Sequence, residues 1–324
     1  MISKYKVLAG VSLAFAFTVS ALSAQAEDKQ IVAIYKSGTQ QYFIDQGNGF
    51  TKAAEALGYK AKVINVELDS NLAVTAVSDA IASGAKGIAM TAPDQKLGPA
   101  VAKAAAAAKI PLVATDDRLM DGDGKPIPFV GFDGTDMGSR VGTTAGDLLK
   151  ASGWLKSNDY GVLTVGVPTL SVCVDRTKAE EAKIIEAGAA KENIVTVNYD
   201  GTTNSSLEAS GPVITAHPQV KKWVVFSCND EGVSGATSAL KNAGYTPDDV
   251  IAVGLGAYEA CRPWAAKQPS MFKAALYISG VDVGDAAAKA LIAKIDKGTE
   301  LPAATIANTT IVTPETYANV MKCN

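Results

Sequence analysis

The sequence predicts an α/β protein built from two successive units, each a parallel sheet wrapped by helices. Three observations carry that expectation. Short β-branched runs alternate with alanine-rich stretches of helical length, once from about residue 31 and again from about residue 136. The runs are mostly apolar and do not alternate, as strands covered on both faces require. Beyond its N-terminal segment the chain keeps about 300 residues, enough for two domains of ordinary size.

The elements follow in order. Lys4 and Lys6 precede an apolar stretch from Val7 to about Leu22, which ends at Ser23-Ala24-Gln25-Ala26. A basic start, an apolar middle and a small-x-small end make an export signal cleaved after Ala26, so residues 1–26 are set aside. The stretch is shorter than the roughly 20 residues of a bilayer span. In the first unit, strands are expected at 31–35, 62–66, 87–90 and 111–114, and helices at 46–57, 73–82 and 98–107. In the second, helices at 138–149, 176–187, 206–216 and 232–243 alternate with strands at 161–165, 194–197, 223–226 and 250–253. The units join near 131–135 without a low-complexity linker, which suggests domains sharing a hinge. A strand at 274–278, a helix at 283–295 and a strand at 305–312 come last, too few for a third domain.

The net charge of −3 argues against a nucleic-acid partner, which needs a concentrated basic surface. No basic amphipathic stretch points to a membrane surface. The four cysteines have no CxxC spacing, and the single histidine leaves little for a zinc site, so no metal or cofactor is expected. An exported chain permits disulfides. Cys261–Cys323 is the first pairing to expect, since it ties the C-terminal tail to the second unit, and Cys173–Cys228 is the other; buried free thiols are the alternative.

Signals for catalysis are poor, and the chain is read as a non-enzyme. His217 stands in a Thr-Ala-His-Pro loop, where a nucleophile–histidine site would have to be built around a surface turn. Gly254-Leu255-Gly256 lacks the third glycine of a dinucleotide loop. Asp116 and Asp117 are adjacent at a strand end and point different ways, so they cannot flank one glycosidic bond. Polar residues instead collect at strand ends: Lys36 after the first strand, Asp116-Asp117 after the fourth, and Asn229-Asp230 after the third strand of the second unit. Each alone reads as a helix cap or turn. Together they mark the edge where open α/β sheets bind ligands.

Several segments extend this reading: Ile81-Ala82-Ser83-Gly84-Ala85-Lys86-Gly87, Thr91-Ala92-Pro93-Asp94-Gln95-Lys96-Leu97-Gly98, Thr115-Asp116-Asp117, the loop ending Gly124-Lys125-Pro126, and His217-Pro218-Gln219-Val220-Lys221. With them the mature chain resembles the pentose/hexose cluster of periplasmic binding proteins, and within it the L-arabinose binders. The resemblance implies a type I fold, two Rossmann-like domains joined by a three-segment hinge with the ligand in the cleft between them. The domains would be 27–133 with 279–309, and 134–278 with 310–324. It further implies a monomeric periplasmic receptor that closes on a monosaccharide and delivers it to the permease of an ABC importer.

By position, the resemblance assigns sugar contacts to Lys36, Asp116, Asp117, Asn229 and Arg176, the last read as opening a second-domain helix. Phe43 keeps the family's phenylalanine. Gln40 stands in place of a glutamate, Tyr42 of a tryptophan, Phe132 of a methionine, Cys228 of a methionine and Gly256 of an asparagine. Glu259, close to Gly256 in sequence, is a candidate for the lost polar contact, with a surface glutamate as the alternative. These departures leave the sugar open, L-arabinose or a related pentose, hexose, deoxy sugar or polyol. Two other readings remain: a receptor feeding a chemoreceptor or sensor kinase, and an exported α/β enzyme.

Overall fold

The computed structural model describes residues 1–2, 29–157 and 159–323. The export signal and its cleavage site after Ala26 lie outside the described residues. Among those described, no helix is long and apolar enough to cross a membrane.

The first unit runs β1 (Gln30–Tyr35), α1 (Gln41–Ala56), β2 (Lys60–Asn65), α2 (Ser70–Ala82), β3 (Gly87–Met90), α3 (Gly98–Ala107), β4 (Leu112–Asp116) and β5 (Phe129–Gly131). The second runs α4 (Gly134–Ser152), β6 (Tyr160–Gly166), α5 (Ser171–Glu186), β7 (Ile194–Asn198), α6 (Thr203–Thr215), β8 (Lys222–Ser227), α7 (Asp230–Asn242), β9 (Val250–Gly256), α8 (Tyr258–Ala265) and β10 (Phe272–Ile278). Then come α9 (Gly280–Lys297), β11 (Ala304–Ile306) and β12 (Thr309–Val312). One six-stranded sheet has the order β11-β5-β4-β3-β1-β2 and is parallel throughout. The other has the order β12-β10-β9-β8-β6-β7, with β12 antiparallel to β10. Both are the doubly wound sheets that the alternation predicts.

The chain passes between the sheets three times, after β5, after β10 and between β11 and β12. The last passage corrects the single strand expected over 305–312. At Ala307 the chain still donates to the carbonyl of Gly131 in the first unit, and from Thr309 it pairs with β10 in the second. One apolar run therefore serves two sheets, and periodicity alone cannot show where it changes partner. Strand β5 and helix α8 were not expected; each is short, and α8 carries Pro263 in its interior.

Several helices begin earlier than expected, and three of those shifts matter to the cleft. Asp133 caps α4 by accepting the Asp136 N–H at 3.0 Å, so that helix starts at the hinge. Helix α1 starts at Gln41, which places Tyr42 and Phe43 on its first turn. Helix α5 starts at Ser171, so Arg176 lies in its second turn and does not open it. Helix α5 is held tightly to α4: a Cβ at Gly138 would overlap the carbonyl oxygen of Arg176. Glycine at 138 thus lets the helix that carries Arg176 approach until the backbones touch.

Cys261–Cys323 is bonded and ties the C-terminal tail to α8, and Cys173–Cys228 is bonded as well. No free cysteine remains among the described residues, which removes the free-thiol alternative.

Candidate functional site

Both sheets present the carboxyl ends of their strands to a cleft between the units. Lys36 follows β1, and its Nζ lies 2.5 Å from Asp117 Oδ2 and 3.5 Å from Asp116 Oδ2. Asp116 ends β4 with a left-handed φ of +59°, which turns the chain so that the two adjacent carboxylates flank one ammonium. From the second unit, Arg176 brings Nη2 to 3.7 Å from Asp116 Oδ1 and donates through Nη1 to the carbonyl of Cys228 at 2.9 Å. Two carboxylates thus face two cations, and both cations meet at Asp116. Burial by itself would lower the Lys36 pKa; Asp117 and Asp116 outweigh it and hold it raised, so the ammonium keeps its proton. Burial raises the Asp117 pKa despite that ammonium.

An aromatic wall stands beside this cluster. Lys36 Nζ lies 5.5 Å from the centre of the Phe43 ring, and Tyr42 meets Phe43 edge to face at 5.0 Å. Tyr258 of α8 reaches across from the second unit, its ring 6.4 Å from that of Tyr42. Burial, then Asp116, pushes the Tyr42 hydroxyl well above its usual range, leaving a neutral phenol able to donate.

The residues assigned by sequence separate into three groups. Lys36, Gln40, Tyr42, Phe43, Asp116, Arg176, Asn229 and Gly256 line one inner cavity. Asp117, fully buried, stands behind Lys36, and Phe132 packs 6.2 Å from the Tyr42 ring without lining that cavity. Two assignments are corrected. The Cys228 side chain is fully buried in its bond to Cys173, so only its carbonyl serves the site, by holding Arg176. Glu259 lies in an outer vestibule of about 370 Å³ with Ser37, Thr39 and Glu67, and only its N–H turns inward, to Asp230 Oδ2 at 3.0 Å. The start of α8 directs its side chain to the mouth.

The structure also explains Gly256. Its φ is +140°, and a Cβ there would stand 3.0 Å from Asp230 Oδ2. The space an asparagine would need is filled by the Asp230 carboxylate, which cups the first turn of α8. Asn229 caps α7 through Oδ1, which accepts from Gly232 N at 2.9 Å and from Tyr199 at 2.5 Å, while Nδ2 donates to Gly201 at 3.2 Å. It is therefore both the helix cap that composition suggests and a wall of the cleft.

Sequence reasoning missed Tyr258 and Glu231 as lining groups and named Asp230 only as a polar strand-end residue, without assigning it a sugar contact. Asp230 stood in plain view beside Asn229; Tyr258 belongs to a helix that was not foreseen. Burial raises the carboxyls of Asp230 and Glu231 to about 7 and about 8. Four polar atoms around the cluster make no hydrogen bond within the protein: Arg176 Nε and Nη2, Tyr42 Oη and Asp117 Oδ1. No group of acids, histidines and cysteines among the described residues is arranged to hold a metal ion.

One turn beyond Arg176, Glu180 is fully buried where α5 meets α4 at Gly142, and neither oxygen has a partner. Burial lifts its carboxyl to about 8, against the pull of Arg176. The folded value exceeds the unfolded one of about 4.3, so the folded chain holds this proton more tightly. Its contribution to stability is fully present below about pH 4 and is lost as pH rises toward 8. Glu180→Gln, which carries no such proton, is expected to match wild type below about pH 4. By pH 9 it should exceed wild type by roughly 5 kcal/mol, at about 1.4 kcal/mol per pH unit between the two pKa values. Urea unfolding across that range measures the gap, and a gap independent of pH contradicts the assignment.

A model of the periplasmic binding protein domain matches residues 31–300. The chain is 34% identical over 280 residues to an ABC transporter L-arabinose-binding periplasmic protein of Azospirillum brasilense, covering 84% of this chain and 82% of that one. It is 27% identical over 275 residues to the L-arabinose-binding periplasmic protein of Escherichia coli, with the same coverage. Among solved structures, a periplasmic solute-binding protein of Actinobacillus succinogenes with bound D-allose superposes with a TM-score of 0.75 at 21% identity, over 90% of this chain and 99% of the other. That likeness concerns the fold.

Proposed function

This chain belongs to the periplasmic binding protein domain family, and from that premise we propose that it is the periplasmic receptor of an ABC importer for a monosaccharide of the arabinose type. The observation that carries the reading is the set of buried donors and acceptors left without hydrogen bonds around a charge-balanced core. A neutral polyol fits that set. Its hydroxyls both donate and accept, so one molecule can take bonds from Arg176 and Tyr42 and give one to Asp116, the carboxylate that lines the cavity. Because Lys36 and Arg176 already balance Asp116 and Asp117, the ligand need bring no charge. Tyr42 and Phe43 offer faces to the C–H side of a sugar ring.

With contacts supplied from both units, the sugar favours the closed arrangement by the difference in its affinity for closed and open forms. The units 27–133 with 279–309, and 134–278 with 310–324, would move about the three crossings. The closed surface is then what a permease reads, and the receptor acts as a monomer.

A thermal-shift panel of pentoses, hexoses and polyols tests the reading. A true ligand at a hundredfold excess over its Kd is expected to add about 2.7 kcal/mol of stability. L-arabinose is expected among the strongest responders. A panel in which no sugar or polyol raises the melting temperature defeats the proposal.

A further inference from the structure

Two of the groups that line the second-unit side of the cleft sit on segments that are distant in sequence. Arg176 is on α5, and Asn229 follows β8. Helix α5 begins without a cap of its own: Leu170, at its N-cap position, makes no such bond, and the Ser171 N–H donates instead to Gln95 Oε1 of the first unit at 3.3 Å. A first turn whose own N-cap residue supplies no bond is a segment that frays. Yet Cys173 lies in that turn, three residues before Arg176, and is bonded to Cys228, the residue immediately before Asn229, with the two Cα atoms 4.9 Å apart. Both cysteines are buried, and Cys173 itself lines the inner cavity.

Around this bridge the bonds close into a ring. Arg176 Nη1 donates to the carbonyl of Cys228 at 2.9 Å, and the Tyr199 hydroxyl stands 3.7 Å from Cys228 Sγ while donating to Asn229 at 2.5 Å. The guanidinium is thus fixed by the carbonyl of the bridged residue, and the neighbouring amide by a tyrosine that packs on the bridge sulfur.

We propose that the Cys173–Cys228 disulfide is a positioning brace of the sugar site, holding the start of α5 and the β8–α7 turn together so that Arg176 and Asn229 meet the ligand already oriented. This rests on the functional reading above. Orientation held before binding removes an ordering cost that a loose site carries on every encounter, so the brace acts on affinity as well as on folding. The second bridge, Cys261–Cys323, joins α8 to the tail and lies outside the ring of contacts. It provides the internal control.

The experiment compares two bridge-deleted chains, Cys173→Ala with Cys228→Ala and Cys261→Ala with Cys323→Ala. Calorimetric titration uses the panel sugar with the largest thermal shift, L-arabinose in the first instance, beside the melting temperature of each ligand-free chain. The expected result is a split. Both deletions lower the melting temperature, but only the first weakens sugar binding, by about tenfold or more, while the control stays within about twofold of wild type. If the first deletion does not fold, the Cys261→Ala, Cys323→Ala chain, which retains only the brace, is reduced until two thiols per chain titrate and is then reoxidised. Affinity is expected to fall on reduction and return on oxidation. Equal affinity with the brace intact and broken, in either format, overturns the proposal. Wild-type chain that binds no sugar in the panel instead defeats the functional reading, a separate result.

Discussion

Arg176→Ala is expected to weaken sugar binding by about 100-fold or more while the ligand-free chain stays folded. The guanidinium is buried, anchored by one nitrogen on the Cys228 carbonyl and set 3.7 Å from Asp116, with Nε and Nη2 making no hydrogen bond. Those two N–H groups are what the site holds out to a ligand from the second unit. Hydrogen bonds from an ionised donor contribute about 1.5–3 kcal/mol each, and two of them exceed the roughly 2.7 kcal/mol that a hundredfold represents. Truncation also leaves the carboxylate pair facing Lys36 alone. Arg176→Lys keeps the charge but not the planar fork, so it should recover little of the loss. Calorimetric titration measures the effect, with circular dichroism to verify the fold. A Kd within a fewfold of wild type in the alanine variant would remove Arg176 from the site.

Asp117→Ala is expected to act differently, as a loss of fold stability of about 3–5 kcal/mol. The residue resembles its neighbour in sequence, but in space it is fully buried, with its carboxylate 2.5 Å from Lys36 Nζ. Deleting it leaves a buried ammonium with Asp116 at 3.5 Å as its remaining carboxylate partner. Breaking a buried pair by removing one member costs far more than a surface salt bridge contributes, because the desolvated partner stays behind. Asp117→Asn, which keeps the shape and one acceptor, is expected to lose less. Urea unfolding of both variants decides the matter. An alanine variant as stable as wild type would show that Lys36 finds another partner or reaches water.

These two outcomes separate adjacent residues that sequence reasoning treats as one pair. The Asp116-Asp117 dipeptide was visible because it ends an apolar run. Which carboxylate lines the cleft and which braces the lysine depends on the left-handed turn at Asp116 and on where β1 lies in the sheet. Gly256 is similar. As a departure from the arabinose pattern it reads as a missing contact, whereas in space the Asp230 carboxylate fills the volume that an asparagine would occupy. Cys228 reads as a substituted wall residue and is instead one end of a brace. Glu259 reads as a nearby replacement, and α8, too short and too interrupted by Pro263 to be seen in the pattern, carries it to the mouth.

What the sequence by itself determined is the architecture and the edge of the sheets where function lies. Apolar runs of strand length, alternating with helical stretches in two rounds, admit little besides two parallel sheets. Polar residues placed directly after such runs fall at the carboxyl ends of the strands. These are local properties, written within a few residues of each other. Only the tertiary structure decided how the chain shares its last apolar run between two sheets, whether the two expected cysteine pairs form, and which charged groups meet across the cleft. Each of those depends on distances between residues far apart in the chain, set by strand order and by backbone contacts such as that of Gly138 with Arg176. A local pattern carries no measure of such distances, because the same strands and helices can be ordered in more than one way in a sheet.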